Sequence, residues 1–175
     1  LNPKFSILDP EYTYSVNAYH TAAGVADIMA HIFEQYFSHT KATDVQDRLS
    51  EGLLKVCIQY GQIAVKEPSN YDARANILWA GSLALNSLIG NGKVQDWATH
   101  IIEHELSAYY DISHGAGLAI LFPRWMRCVL NNKSLPKFLE YAQNVWNIRD
   151  FSDKMAAANE AIDKTSDFFK SLGLP

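Results

Sequence analysis

The chain has 175 residues, 48% of them hydrophobic and 19% charged, with a net charge of −4 at neutral pH. That is enough chain for one domain burying roughly 70% of its unfolded surface without a disulfide or structural metal, and the composition excludes a disordered chain. Scattered lysines and arginines without a basic run argue against nucleic acid as a partner, and no segment offers the ~18 apolar residues a membrane span needs.

In chain order, residues 1–19 carry Pro3 and Pro10 among several aromatics, and Phe5-Ser6-Ile7-Leu8 reads as a short strand or extended entry segment. Residues 20–38 are helical: Val25, Ile28, Met29, Ile32, Phe33 and Tyr36 recur at a 3.6-type spacing on a cylinder apolar nearly all round, the pattern of a central buried helix. Asp44 is placed to cap a helix over about 45–66, closed by Pro68. Ser69-Asn70 opens the next, which ends near Gly90 and Gly92. Asp96 reads as the N-cap of a helix to about Tyr109, and 114–130 as another, kinked or divided at Pro123. Ser134 and Pro136 start a further helix, and Ser152 caps the last, which stops near Leu172 before Gly173. The fold class expected is all-α: a bundle of about seven to nine helices behind a short extended N-terminal segment. Gly90-Asn91-Gly92 follows a helix instead of a strand, so it makes a poor phosphate cradle.

The two cysteines, Cys57 and Cys128, stand far apart in apolar helical stretches and read as buried thiols. A reducing cytoplasm suits them, the N-terminus shows no basic-then-apolar export signal, and the sequon at Asn132-Lys133-Ser134 has no meaning without secretion. The chain opens on Leu1-Asn2-Pro3 without an initiating Met, as the middle of a longer protein would.

The chemistry concentrates in two places. Asp27 and His31 lie four residues apart, hence on one face of the apolar helix. An ionised Asp there costs several kcal/mol, about the usual figure for a buried charge, unless it is paired or bound to a metal. His100 and His104 repeat that spacing, and His114 follows, so half of the six histidines fall within fifteen positions. One carboxylate with two or three imidazoles suits a divalent transition metal such as iron or zinc, with a coordination position left open. An Asp–His pair, or a solvated groove, is the plainer reading of Asp27 and His31 taken alone. Ala108 stands where the HExxH motif of zinc proteases would need its second histidine after His104-Glu105. Glu34 and Glu103 are acceptors for imidazole N–H groups or members of a solvated helix face. Trp97, Tyr109 and Phe122 wall a pocket or, more simply, pack in the core. His20 and His39 read as surface residues.

Trp97-Ala98-Thr99-His100-Ile101-Ile102-Glu103-His104-Glu105-Leu106, continuing to Ser113-His114-Gly115, resembles the HxxxH…HG signature of the iron-containing (group III) alcohol dehydrogenases. Gly24 to Tyr36 is similar to that family's upstream DxxxH element, and Asn2-Pro3 through Leu8-Asp9-Pro10 to the segment leading into its helical domain. The resemblance covers essentially residues 1–175 and is greatest for the butanol dehydrogenase-like branch. Glycerol dehydrogenase and dehydroquinate synthase fit the same segments less well.

The resemblance implies a dehydroquinate synthase-like C-terminal helical domain whose metal ligands are Asp27, His31, His100 and His114, holding Fe2+ or Zn2+. It implies that His104 faces substrate and nicotinamide, as a catalytic and cofactor-binding residue relaying a proton. It further implies an NAD(P)H-dependent interconversion of a small primary alcohol and its aldehyde. An N-terminal nucleotide-binding domain, without counterpart in these 175 residues, would supply most cofactor contacts, so the isolated chain is expected to be nearly inactive. An apolar surface left by that domain would favour a homo-oligomer. The alternative is a non-catalytic metal-binding or interaction module descended from such an enzyme. An all-α, His/Asp-rich metal hydrolase ranks last, because no His-Asp dipeptide occurs.

Overall fold

A computed structural model describes residues 4–175. Among them are seven α-helices, one 3-10 turn (Pro10–Thr13) and no strand. Phe5–Leu8 is irregular and not a strand, with Phe5 and Ile7 exposed. The resemblance at Asn2-Pro3 lies outside the described residues.

Helix α1 (Ala18–Tyr36) is the axis of the fold, as its all-round apolar pattern predicts. Asn17 caps it by accepting from the His20 N–H at 2.9 Å. Val25, Ala26, Met29, Ile32, Phe33 and Tyr36 are wholly buried. α2 (Asp44–Lys66), α3 (Tyr71–Leu85) and α5 (His114–Val129) surround α1. α4 (Ala98–Tyr110) packs on α5, and α6 (Leu135–Asn144) and α7 (Lys154–Ser171) close the far side. An aromatic cluster of Phe33, Tyr36, Phe37, Phe122, Phe138 and Tyr141 ties α1 to α5 and α6. Each such ring contributes through buried area and through stacked, tilted or edge-on contacts.

Several boundaries differ from the sequence expectation. α2 begins at Asp44 itself, so Asp44 is a first-turn acid favoured by the helix dipole, and the N-cap is Thr43. α7 is capped by Asp153, which accepts from the Ala156 N–H at 2.9 Å, in place of Ser152. α5 runs unbroken through Pro123. Cys57 is buried and Cys128 is exposed, contrary to the expectation of two buried thiols. At the base of α1, Asp47 accepts from Lys93 at 2.6 Å and from Lys137 at 2.5 Å, and the Lys137 ammonium sits 4.4 Å from the Tyr36 ring centre. No described helix is long and apolar enough to cross a membrane.

Candidate metal centre

Three helices deliver the site. α1 carries Asp27 and His31 one turn apart, as their spacing requires. α4 carries His100 in its first turn, and α5 starts on His114. The turn between α4 and α5 is short because Asp111 takes a left-handed conformation (φ 55) and ends α4 there. α5 can approach α1 closely because residue 115 is glycine: an added Cβ would lie 2.6 Å from the Ala23 carbonyl carbon. Only a residue without a side chain lets the N-terminus of α5 rest on the α1 backbone. That contact brings His114 to Asp27.

The Nε2 atoms of His31, His100 and His114 lie 3.5, 3.6 and 3.7 Å from Asp27 Oδ1. Four donors on a tetrahedron with bonds of about 2.0–2.2 Å are separated by about 3.3–3.6 Å. The spacing of each nitrogen from Asp27 Oδ1 is therefore close to that between ligands of one small cation and is too long for a good hydrogen bond; Asp27, His31 and His100 offer atoms all within 4.8 Å of one another, and His114 joins them through Asp27. Asp27 Oδ1 and His100 Nε2, two atoms of this set, are buried and have no hydrogen-bond partner. Orphaned polar atoms of this kind need a ligand to offset their desolvation. The donor set, one carboxylate and three imidazoles, suits Zn2+ and Fe2+ alike.

The electrostatics agree. Burial pushes the Asp27 carboxyl up, but His100, His31 and His114 outweigh it and hold the group below the usual carboxylate range. His31 is pushed down, chiefly by burial. Burial also disfavours charge on His100, yet Asp27 and Glu34 prevail and push it up to about 9.

Beyond these four, two carboxylates reach the outer nitrogens. Glu34, 2% exposed, accepts from His100 Nδ1 at 2.7 Å. Glu103, fully buried, pairs with His114 Nδ1 and with the Ser107 hydroxyl. Of the two sequence readings of these glutamates, the solvated helix face is excluded. Gly117 makes room for Glu103, since a Cβ there would stand 2.8 Å from Glu103 Cγ. Gly115 stood out in the sequence only as the glycine of the HG element and Gly117 not at all, because close approach between helices leaves no local pattern.

His104 is exposed, its ring centre 5.1 Å from that of His114 and 6.5 Å from that of His100. Glu103, His104 and His114 also form a compact trio, but the Glu103 oxygens are already engaged by His114 and Ser107. Trp97 stands outside the core and lines a cavity shared with Phe37, Trp125 and Lys137, while its ring lies edge-on to both His31 and His100, with centres 5.4 Å away. Phe122 is core, Tyr109 is 82% exposed, and His20 and His39 are surface residues as expected. Asp96 is not the N-cap of α4. Trp97 holds that position without a capping side chain, while Asp96 accepts from the Ala98 N–H at 2.9 Å.

Residues 21–175 match the model of the C-terminal part of the Fe-containing alcohol dehydrogenase family. The chain is 58% identical to NADH-dependent butanol dehydrogenase B of Clostridium acetobutylicum, over 99% of this chain and 45% of that protein. It is 44% identical to the NADPH-dependent aldehyde reductase YqhD of Escherichia coli, over 100% of this chain and 45% of that protein. The substrate- and cofactor-free structure of YqhD superposes with a TM-score of 0.95 at 42% identity, covering 99% of this chain and 45% of that one. The structure of NADH-dependent butanol dehydrogenase A from Thermotoga maritima gives 0.92 at 33% identity, covering 99% and 43%. The chain thus spans less than half the length of these relatives. A helical domain with this arrangement, matched over nearly all its length, belongs to the Fe-containing alcohol dehydrogenase family and corresponds to its C-terminal part.

Proposed function

We propose that this chain is the metal-holding part of an NAD(P)-dependent enzyme that interconverts a small primary alcohol and its aldehyde. The observation that carries the reading is the convergence of three imidazole Nε2 atoms on Asp27 Oδ1 at 3.5–3.7 Å. In this reading Asp27, His31, His100 and His114 hold one divalent ion. When bound, such an ion supplies Lewis acidity toward the oxygen of an alcohol or carbonyl group.

The residues of the chain do the rest of the local work. The carboxylate and three neutral imidazoles leave an ion with net positive charge, so an oxygen that gains negative charge is favoured beside it. His104, exposed and one turn beyond His100, stands between the cluster and solvent. Its imidazole can both accept and donate a proton through its two ring nitrogens and serves to pass a proton between bound alcohol and water. Ile101, Ile102, Tyr109 and Tyr110 leave an exposed apolar flank on α4 beside the cluster. That flank suits the packing of a nucleotide-binding domain that presents the nicotinamide to the site. The cofactor and the substrate class come from relatives described as NADH-dependent butanol dehydrogenase and NADPH-dependent aldehyde reductase.

The test is elemental analysis of the purified chain beside a His100→Ala/His114→Ala double variant. About one iron or zinc per chain, lost in the variant, is the expected result. No metal in the wild-type chain after incubation with either ion would overturn the reading.

A further inference from the structure

Glu34 sits on the same helix as Asp27 and His31 but reaches across to the start of α4. Its Oε1 accepts from the backbone N–H groups of Thr99 (2.9 Å) and His100 (3.2 Å) and from the Thr99 hydroxyl. Its Oε2 takes His100 Nδ1 at 2.7 Å, and its backbone carbonyl accepts from the Asp96 N–H at 3.2 Å. The first turn of a helix leaves its N–H groups without intrahelical partners; in α4 the N-cap Trp97 offers them no accepting side chain, and Asp96 takes only the Ala98 N–H. A carboxylate from α1 supplies the cap.

We infer that Glu34 is the positioning residue of the site: it docks the N-terminus of α4 on α1 and holds His100 as the Nδ1–H tautomer, so that its Nε2 lone pair faces Asp27. The inference rests on the metal-binding reading above. Asp27 and His31 ride on the helix that bears Glu34, so one side chain sets the distance between two ligands on α1 and one on α4. His31 has no such support, since its Nδ1 is unpartnered. Glu103 holds His114 in a different way. Its second oxygen meets a hydroxyl, Ser107, which can donate or accept by rotating.

That difference makes the test specific. In Glu34→Gln the amide oxygen is retained by the two backbone N–H groups and the Thr99 hydroxyl, so the NH2 group must face His100 Nδ1. The imidazole then carries its proton on Nε2 and cannot ligate. In Glu103→Gln the amide turns its oxygen to His114 Nδ1–H and its NH2 to Ser107, and the tautomer survives. Zinc affinity measured by chelator competition is expected to fall about 10–100-fold in Glu34→Gln and to stay within about threefold of wild type in Glu103→Gln, beyond the noise of a factor of about two. Circular dichroism verifies that both variants are folded.

Wild-type affinity in a folded Glu34→Gln, or an equal loss in both variants, would overturn the inference. The second outcome would show that charge, and not tautomer, is what matters. Nitrogen-15 histidine spectra of the wild-type zinc-loaded protein provide a measurement that needs no variant: a His100 Nδ1–H protected from exchange is expected, and its absence is contrary. If the wild type takes up no zinc, the metal-holding reading fails separately. Spectra of the metal-free chain at about pH 10, where imidazoles are neutral, then decide the tautomer of His100 alone.

Discussion

Gly115→Ala is the most informative single-methyl change in this chain. The added Cβ would lie 2.6 Å from the Ala23 carbonyl carbon and 3.0 Å from Ala23 Cα. Carbon atoms in contact sit about 3.5–4.0 Å apart, so α5 must retreat from α1 by about 1 Å. The obstacle is backbone in the middle of α1 and cannot rotate away. Overpacking of this kind costs about 1–3 kcal/mol. With a urea slope of about 2 kcal/mol/M for a domain of this size, the midpoint should fall by about 0.5–1.5 M. The same displacement carries the adjacent His114 away from Asp27, in a site that tolerates about 0.5 Å, so zinc affinity should drop more than tenfold. Gly24→Ala is the matched control, because an added Cβ there meets nothing within 4 Å. It should raise stability by up to about 1 kcal/mol through helix propensity and leave zinc binding unchanged. Urea unfolding in EDTA and chelator competition read the two effects separately. If Gly115→Ala keeps both the wild-type midpoint and the wild-type affinity, the claim that this glycine sets the α1–α5 distance is wrong.

Three further predictions concern charge. His100 is pushed up to about 9 in the folded metal-free chain against 6.5 when unfolded, so its protonation stabilises fully below about pH 6.5 and that contribution is lost as pH rises through 9. His31, whose value is lowered, acts in the opposite sense, but only up to about pH 7.5, above which it is neutral in both states. Urea midpoints in EDTA should therefore fall from pH 6.5 to 9 and flatten in His100→Gln, while zinc affinity should rise over the same interval because ligation needs the neutral ring; a flat wild-type profile would refute the assignment. Asp47 is held below the usual carboxylate value, burial being outweighed by Lys137 and Lys93, so its contribution is present above pH 3.8 and lost as pH falls through its depressed value. Asp47→Ala strands the wholly buried Lys93 ammonium and should cost about 3–5 kcal/mol, with Asp47→Ala/Lys93→Met recovering most of it; equal loss in the double variant would show that packing, not charge, is at stake. His104→Ala, in a protein that turns over butanal with NADH or NADPH, should keep its metal and lose rate with an altered pH profile by about 10²–10⁴-fold; unchanged rate and profile would remove His104 from the proton path.

Much was legible in the primary structure. The apolar periodicity of residues 20–38 marked a buried helix, and an i, i+4 pair of Asp27 and His31 on such a helix marked a site, because helical geometry alone puts them on one face. His100 and His114 were legible as partners through the spacing of the second motif and its resemblance to a family, and the all-α class followed from uninterrupted helical patterning. These are local signals, carried within one helix turn or one recognisable stretch.

Tertiary structure decided what joins the helices. The Glu34 cap on α4 spans 65 residues to Thr99, and no spacing rule relates positions so distant. The close approaches at Gly115 and Gly117, the burial of Glu103 and the exposure of Cys128 depend on which faces meet once α1, α4 and α5 have packed. A helix pattern fixes the direction in which each side chain points from its own axis. The distance between two axes is set by packing, and it is that distance which separates scattered donors from three imidazole nitrogens each 3.5–3.7 Å from one carboxylate oxygen.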